Sequence, residues 1–442
     1  MATPAKTRRL LAELRRYESP NVTFLDPAGD WPIVWDRARG VHVWDADGKK
    51  YLDLTAAFGV TAAGHANPRV VRAGQKQMGR LLHAMGDVHP HALKARLARE
   101  LSRLTFERWT RRQPVATRRT GKTIFCNSGF EAVEAALKTA LLATGKPGVI
   151  AFEQGYHGLG YGTLNVTHRD HFRRPFAAQS GGFGCHARFP VTEAELAPSA
   201  GEIRRLFQKH AIGAVLVEPI QVRGGVRLPA PGFLRCLREL CSEQGALLVL
   251  DEIYTGFGRT GHWFACEHEA IVPDLICLGK ALTGGFPLSA CVGRADLLDA
   301  AWPVSSGEAI HTSTYLGHPV GCAMALTQIA EIRRTRLVEK SARLGRHLLR
   351  ILEQTLTDAR YRIAIRGRGL LVGAELSKLD GTPATQPVLD LVKSMLHAGY
   401  LLLPEGTDGN VIGFTPPLTI TAAQLTTTVN ALQRQLRANT SV

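Results

Sequence analysis

The 442-residue chain contains no apolar run near the ~20 residues that a membrane-spanning helix needs. Its eight cysteines include no Cys-x-x-Cys pair, so neither a structural zinc site nor a disulfide framework is expected. Several of them lie in apolar, strand-like runs, as buried free thiols of a reducing, cytoplasmic compartment do. No secretory apolar segment opens the chain. The basic stretch 1–16 contains Glu13 and lacks serine, so an exposed helix of the mature protein is expected there rather than a transit peptide. The net charge of +16 is spread over dispersed arginine pairs without an aromatic-interleaved basic stripe, which speaks against a nucleic-acid partner. Neither of its glycine turns is read as having Walker or dinucleotide spacing, and no internal repeat or low-complexity segment stands out.

What is present is an alternation. Short apolar runs at 122–126, 148–152, 214–217, 246–250, 275–278 and 288–292 read as buried strands, separated by amphipathic stretches such as Val133, Ala136, Leu137, Ala140 and Leu141. Strands alternating with helices predict an α/β fold built on a mostly parallel sheet with helices on both faces. Ligands of such sheets sit beyond the carboxyl ends of the strands. Residues 41–54 predict a hairpin turning at Asp47-Gly48. After Pro319 a long helical stretch is expected to about Thr355, followed by alternating strand and helix. At ~100–200 residues per domain, this length predicts two domains. Residues 61–320 would form the large one and 321–442 the small one, with 1–60 joining the small domain.

Two segments carry chemistry. The apolar run 247–250 ends on Asp251, and the run 275–278 delivers Lys280 into a glycine-rich turn. A lysine able to form a Schiff base and an aspartate able to hold a pyridinium nitrogen are the two protein groups that pyridoxal phosphate (PLP) requires. A surface lysine and a helix-capping aspartate remain the plain alternative for either residue alone. Upstream, Asn127-Ser-Gly-Phe-Glu131 is a strand-to-helix turn. The free N–H groups at Ser128, Gly129 and Phe130 would suit a phosphate, although a capping box of Ser128 and Glu131 explains the same letters. Tyr156-His157-Gly158 offers an aromatic to stack on a ring. Ser313 and Thr314 offer hydroxyls, or a cap for the helix that follows.

In their order these segments resemble the class III aminotransferases, the family of ornithine, acetylornithine and 4-aminobutyrate aminotransferases, over about residues 41–418. The resemblance implies a fold type I PLP enzyme with a seven-stranded-type sheet, working as a homodimer with shared active sites. It implies cofactor contacts from Ser128, Gly129, Phe130, Tyr156, His157, Glu218, Asp251, Tyr254, Lys280, Ser313 and Thr314, with Thr314 supplied by the neighbouring subunit. It also implies transamination between an amine or amino acid and a 2-keto acid, with Lys280 and Asp251 as catalytic residues. A racemase, epimerase or aminomutase of the same family, or a non-catalytic PLP-binding protein, stays open.

The departures bear on substrate. Ornithine- and aminobutyrate-type members carry an arginine just before the Phe-x-Pro-Pro-Leu segment; here that position is Gly413. They carry a glutamate two residues after the Glu-Pro-Ile-Gln run; here it is Arg223. A second arginine is replaced by Leu159, and a glutamine by Tyr254. With Phe58 and Trp31, these substitutions imply an apolar or aromatic pocket wall. Arg223 is a candidate anchor for the keto-acid carboxylate; a solvent-facing Arg223 is the alternative.

Overall fold

The computed structural model describes residues 5–26 and 31–438. Seven strands form the central sheet in the order Gly121–Cys126, Ser289–Arg294, Leu275–Leu278, Leu247–Asp251, Ile212–Val217, Gly148–Phe152, Gly184–Ala187. Every neighbouring pair is parallel except those made by Ser289–Arg294, which runs antiparallel to both neighbours. The central strands are buried along their whole length, as strands covered on both faces must be. This burial is why they read as unbroken apolar runs. The strand Gly184–Ala187 was not anticipated. Its Gly-Cys-His-Ala sequence has little strand preference, and it forms by pairing in parallel register with 149–152.

Helix Gly129–Thr144 packs its alanine-rich face on the sheet and ends at Gly145, whose φ of +65° closes the helix in the left-handed region. The helical stretch after Pro319 is two helices, Pro319–Arg334 and Leu337–Thr355, broken at Arg336, whose φ is +51°. A second sheet joins Tyr361–Arg368, Leu371–Lys378, Val411–Phe414 and Leu403–Glu405. A third joins Trp35–Arg39, His42–Asp45 and Lys50–Asp53 with Tyr400–Leu401, so a strand from the C-terminal third pairs directly with the N-terminal segment.

The carboxyl ends of the parallel strands share one edge. There the chain leaves Cys126 for Ser128, Phe152 for Tyr156, Val217 for Glu218 and Leu278 for Lys280, and it ends a strand on Asp251. Strand direction alone therefore gathers these side chains.

Candidate active site

A cavity of about 440 Å³ opens at that edge, lined among others by Gly129, Phe130, Tyr156, Asp251, Tyr254 and Lys280. Lys280 takes a left-handed φ of +42°, a backbone state that side-chain-bearing residues avoid and that clusters at functional sites. Its Nζ lies 4.6 Å from the centre of the Tyr254 ring. Burial pushes the ammonium below its ordinary range, while the carboxylates of Asp251 and Glu218 draw it back up.

Asp251 is held on both oxygens. His157 Nδ1 meets Oδ2 at 2.8 Å, and the Ile253 N–H donates to Oδ1 at 3.1 Å. The sequence placed His157 among cofactor contacts; it lines the cavity, and its ring also orients the aspartate. His157 is fixed in turn by Thr167, whose Oγ1 accepts the His157 N–H and donates to the Gly158 carbonyl.

Glu218 is more than a cavity wall. Its carboxylate accepts the N–H of Tyr156 at 2.9 Å and that of Val222 at 3.4 Å, tying the Tyr156 loop to the segment that presents Arg223. Burial raises it to about 7.

Ser128 caps helix Gly129–Thr144, with the Asn127 and Ser128 N–H groups donating to Glu131. The Ser128 hydroxyl is buried, faces the Glu131 N–H in that capping box and has no other hydrogen-bond partner among the described residues. A buried hydroxyl at a helix N-terminus beside a cavity fits an anion. Gly129 permits close packing, since a Cβ there would lie 3.0 Å from Ile253 Cδ1. Together with an amine of lowered pKa and an aspartate held in place for a cationic ring nitrogen, this donor set fits PLP.

Phe58 and Leu159 line the cavity as anticipated. Phe58 stands in a turn where Ala56, Ala57, Phe58 and Gly59 all have positive φ, a strained arrangement that nothing in Ala-Ala-Phe announces. Gly59 is required there because a Cβ would come within 2.8 Å of the Tyr254 ring. Five anticipated residues do not line the cavity of this chain: Trp31, Ser128, Ser313, Thr314 and Gly413. Trp31 packs instead beside Val43 and Tyr51 of the N-terminal sheet. Ser313 and Thr314 are exposed, in a loop tied down by a 2.7 Å hydrogen bond from Thr312 to Asp87. Contrary to the reading of the glycine turns above, Gly256, Gly258 and Gly261 do have the spacing of a dinucleotide fingerprint. It runs through turns without opening a helix there, and a Cβ at Gly261 would lie 2.8 Å from Ala342 Cβ, so its glycines serve packing.

Arg223 faces the cavity, with its guanidinium 4.9 Å from the Tyr156 ring centre. Gly413 does not line it. A Cβ on Gly413 would lie 2.9 Å from Cγ of Glu405, a buried residue that sequence reasoning missed. The signal was the bare glycine itself, since antiparallel pairing sets Leu403–Glu405 against Val411–Phe414. Burial raises Glu405 to about 7, against the pull of Arg223, Lys280 and Arg169.

This shift has a pH consequence. The folded apoprotein holds the Glu405 proton more tightly than the unfolded chain, whose glutamate titrates near 4.5. The stability it contributes is therefore present at acid pH and is lost as pH rises from about 4.5 through 7. Glu405→Gln removes that loss. In denaturant titrations of the apoprotein, its stability advantage should widen by about 2 kcal/mol between pH 5 and 8. A gap that stays constant with pH would contradict the burial assigned to this carboxyl.

The family "Aminotransferase class-III" matches residues 25–436. The chain is 35% identical over 408 residues to an acetylornithine aminotransferase of Methanosarcina acetivorans, covering 92% of each protein. It is 36% identical over 405 residues to the 5-aminovalerate aminotransferase DavT of Pseudomonas aeruginosa, covering 89% of this chain and 91% of that one. Among solved structures, a PLP-bound amine transaminase from an uncultivated Pseudomonas species superposes with a TM-score of 0.86 at 27% identity, over 96% of this chain and 98% of that one. The cavity at the strand ends, its lysine and its aspartate thus lie in a chain that belongs to the class III aminotransferases, which carry out PLP-dependent transamination.

Proposed function

We propose that the enzyme moves an amino group from a donor with an apolar or aromatic body to a 2-keto acid, with Lys280 and Asp251 as catalytic residues. The observation that carries this assignment is the convergence of Lys280 and His157-held Asp251 on one cavity whose wall includes Gly129 and Phe130 at a helix N-terminus. Lys280 would hold the cofactor through its ε-amine, Ser128, Gly129 and Phe130 would hold the phosphate, and Tyr156 would face the ring. When bound, PLP supplies an electron sink for the bond broken at the donor's α-carbon. Lys280 Nζ would take the proton from that carbon and hand it to the cofactor carbon at which the amino group is carried, a role that its lowered basicity suits. Asp251 keeps the ring nitrogen protonated, and His157 fixes the carboxylate that does so.

Phe58, Leu159 and Tyr254 favour an apolar donor body. Arg223 is assigned to the keto-acid carboxylate. No ion pair to its guanidinium is found among the described residues, so a carboxylate entering the cavity meets a free cation.

We assign Ser313 and Thr314 to the active site of a second copy of the chain. Exposed Leu82, Met85 and Val88, and exposed Val304, Ile310 and Tyr315, offer the apolar surface of a homodimer beside that loop. Eight free cysteines support a reducing, cytoplasmic location.

The test is a donor panel. An accepted donor added alone to holoenzyme should convert its visible absorbance stoichiometrically to the pyridoxamine form. Exchange of the α-hydrogen with solvent without that conversion, for every donor tried, would overturn the assignment.

A further inference from the structure

Phe58 reaches the cavity on a turn that its own residues resist. Ala56, Ala57 and Phe58 stand at φ of +47°, +50° and +60°, three successive side-chain-bearing residues in the left-handed region. Such a run persists only where its surroundings over-determine it. Thr55 does so directly. Its Oγ1 accepts the Ala57 N–H at 3.2 Å, and its carbonyl accepts the Gly59 N–H at 2.9 Å. Thr55 is gripped in turn by buried Asp53, whose Oδ1 accepts both the Thr55 N–H, at 2.7 Å, and the Thr55 hydroxyl, at 2.6 Å. His65 Nε2 meets the other oxygen of Asp53 at 2.7 Å.

A second hold on the turn comes from far along the chain. Buried Thr415, just past strand Val411–Phe414, donates its N–H to the Leu54 carbonyl at 2.8 Å and its hydroxyl to the Thr55 carbonyl at 3.1 Å. Arg259 donates to the Pro416 carbonyl and so fixes the residue that follows. The single hydrogen of the Thr415 hydroxyl goes to Thr55, so the Tyr254 phenol, 3.4 Å away, is the donor where those two hydroxyls meet. At that length the bond is weak, and the firmer hold of Thr415 is on the turn. Tyr254 directs its hydroxyl to Thr415 and presents its ring to the cavity, with Lys280 Nζ 4.6 Å from the ring centre. A Cβ on Gly59, at the end of the turn, would lie 2.8 Å from that same ring. Thr415 does not line the cavity, yet it bonds to the carbonyl that closes the Phe58 turn and to the phenol of Tyr254.

We propose that Thr415 is a positioning residue for the donor pocket: its hydroxyl locks the strained turn that carries Phe58 against Tyr254, and so holds two aromatic walls of the cavity in one relative position. Without that hydroxyl the Thr55 carbonyl loses its tie to the C-terminal sheet, and the left-handed run has one restraint fewer against relaxing. This rests on the transaminase reading of the cavity and deepens it. Walls held in one position favour an amine whose body is a flat ring over a small alkylamine that needs neither wall.

Two measurements on holoenzyme test this, each with Thr415→Val, which removes the hydroxyl, and Thr415→Ser, which keeps it. The first is amide hydrogen exchange across the turn. In Thr415→Val the Ala57 and Gly59 amides should exchange about tenfold faster, the scale of one lost hydrogen bond, while the amides of helix Gly129–Thr144 stay unchanged and so report an intact fold. Thr415→Ser should stay within about threefold of wild type at the turn. The second is the donor half-reaction with benzylamine and with propylamine. Thr415→Val should raise KM for benzylamine about tenfold with kcat within about threefold, as when an interaction equal in ground and transition states is lost. Propylamine should shift by less than about threefold in KM, and Thr415→Ser should restore benzylamine. Unchanged exchange at the turn in Thr415→Val, equal KM losses for the two amines, or refusal of benzylamine by a wild type that accepts other donors would overturn the proposal and leave the transaminase reading standing. Wild-type holoenzyme converted by neither amine nor by any member of the donor panel would remove that reading, and the donor pocket assigned to these walls with it.

Discussion

Lys280→Ala should reduce turnover by at least about 10⁴-fold and abolish the borohydride-trapped adduct. A positioned general acid–base group alone accounts for about 10²–10⁴-fold, and here the same amine also holds the cofactor. The magnitude follows from the setting of the residue. Lys280 is desolvated and lies over Tyr254, so its amine is less basic than a surface lysine. Among the described residues no other lysine lines the cavity to replace it. Two controls separate chemistry from folding. Lys280 has a φ of +42°, so Lys280→Gly relieves about 1 kcal/mol of left-handed strain that Lys280→Ala retains. The glycine variant should be the more stable of the two by denaturant titration, and equally inactive. Small amines added to either variant should restore part of the rate if the missing function is proton transfer. Turnover within tenfold of wild type in both variants would contradict the role given to this residue.

The sequence exposed the parts of this molecule whose physics is local. Strands such as 247–251 and 275–278 are covered on both faces, so they must be apolar throughout, and their bounds could be read within a residue or two. Their parallel direction then sends Asp251, Glu218 and Lys280 to one edge. Features that depend on pairing between distant segments were not legible. Gly184–Ala187 becomes a strand only beside 149–152. The turn at Ala56–Gly59 is left-handed because Tyr254 crowds Gly59 and Thr55 accepts the Ala57 N–H at 3.2 Å, not because its residues prefer that state. Glu405 shows the same limit at the site. Gly413 drew notice as a missing arginine, but the carboxylate filling that space comes from another strand, and only the register reveals it. Glu218 was assigned to the cofactor, and its hydrogen bonds to Tyr156 and Val222 show that it also sets where the stacking aromatic and Arg223 stand.

Asp251→Asn should cost the second-largest factor, about 10²–10³ in kcat, with PLP still bound. The substitution keeps the shape of the side chain and removes its charge. Breaking one partner of a buried ion pair is worth roughly 3–5 kcal/mol, and each ~1.36 kcal/mol of barrier is a tenfold change in rate. The loss falls on kcat because the charge is needed where electrons collect on the ring during the reaction, while the phosphate and Lys280 continue to hold the cofactor. His157 sharpens the test. It meets Asp251 Oδ2 at 2.8 Å and acts through that carboxylate, so His157→Phe removes orientation but not charge. Its effect should be about tenfold in kcat, because the aspartate loses the partner that orients it. The double variant should then be no worse than Asp251→Asn alone, since a residue that works through another has nothing left to position. Full additivity of the two losses would mean that His157 touches the reacting groups itself and would move it from a positioning to a catalytic role.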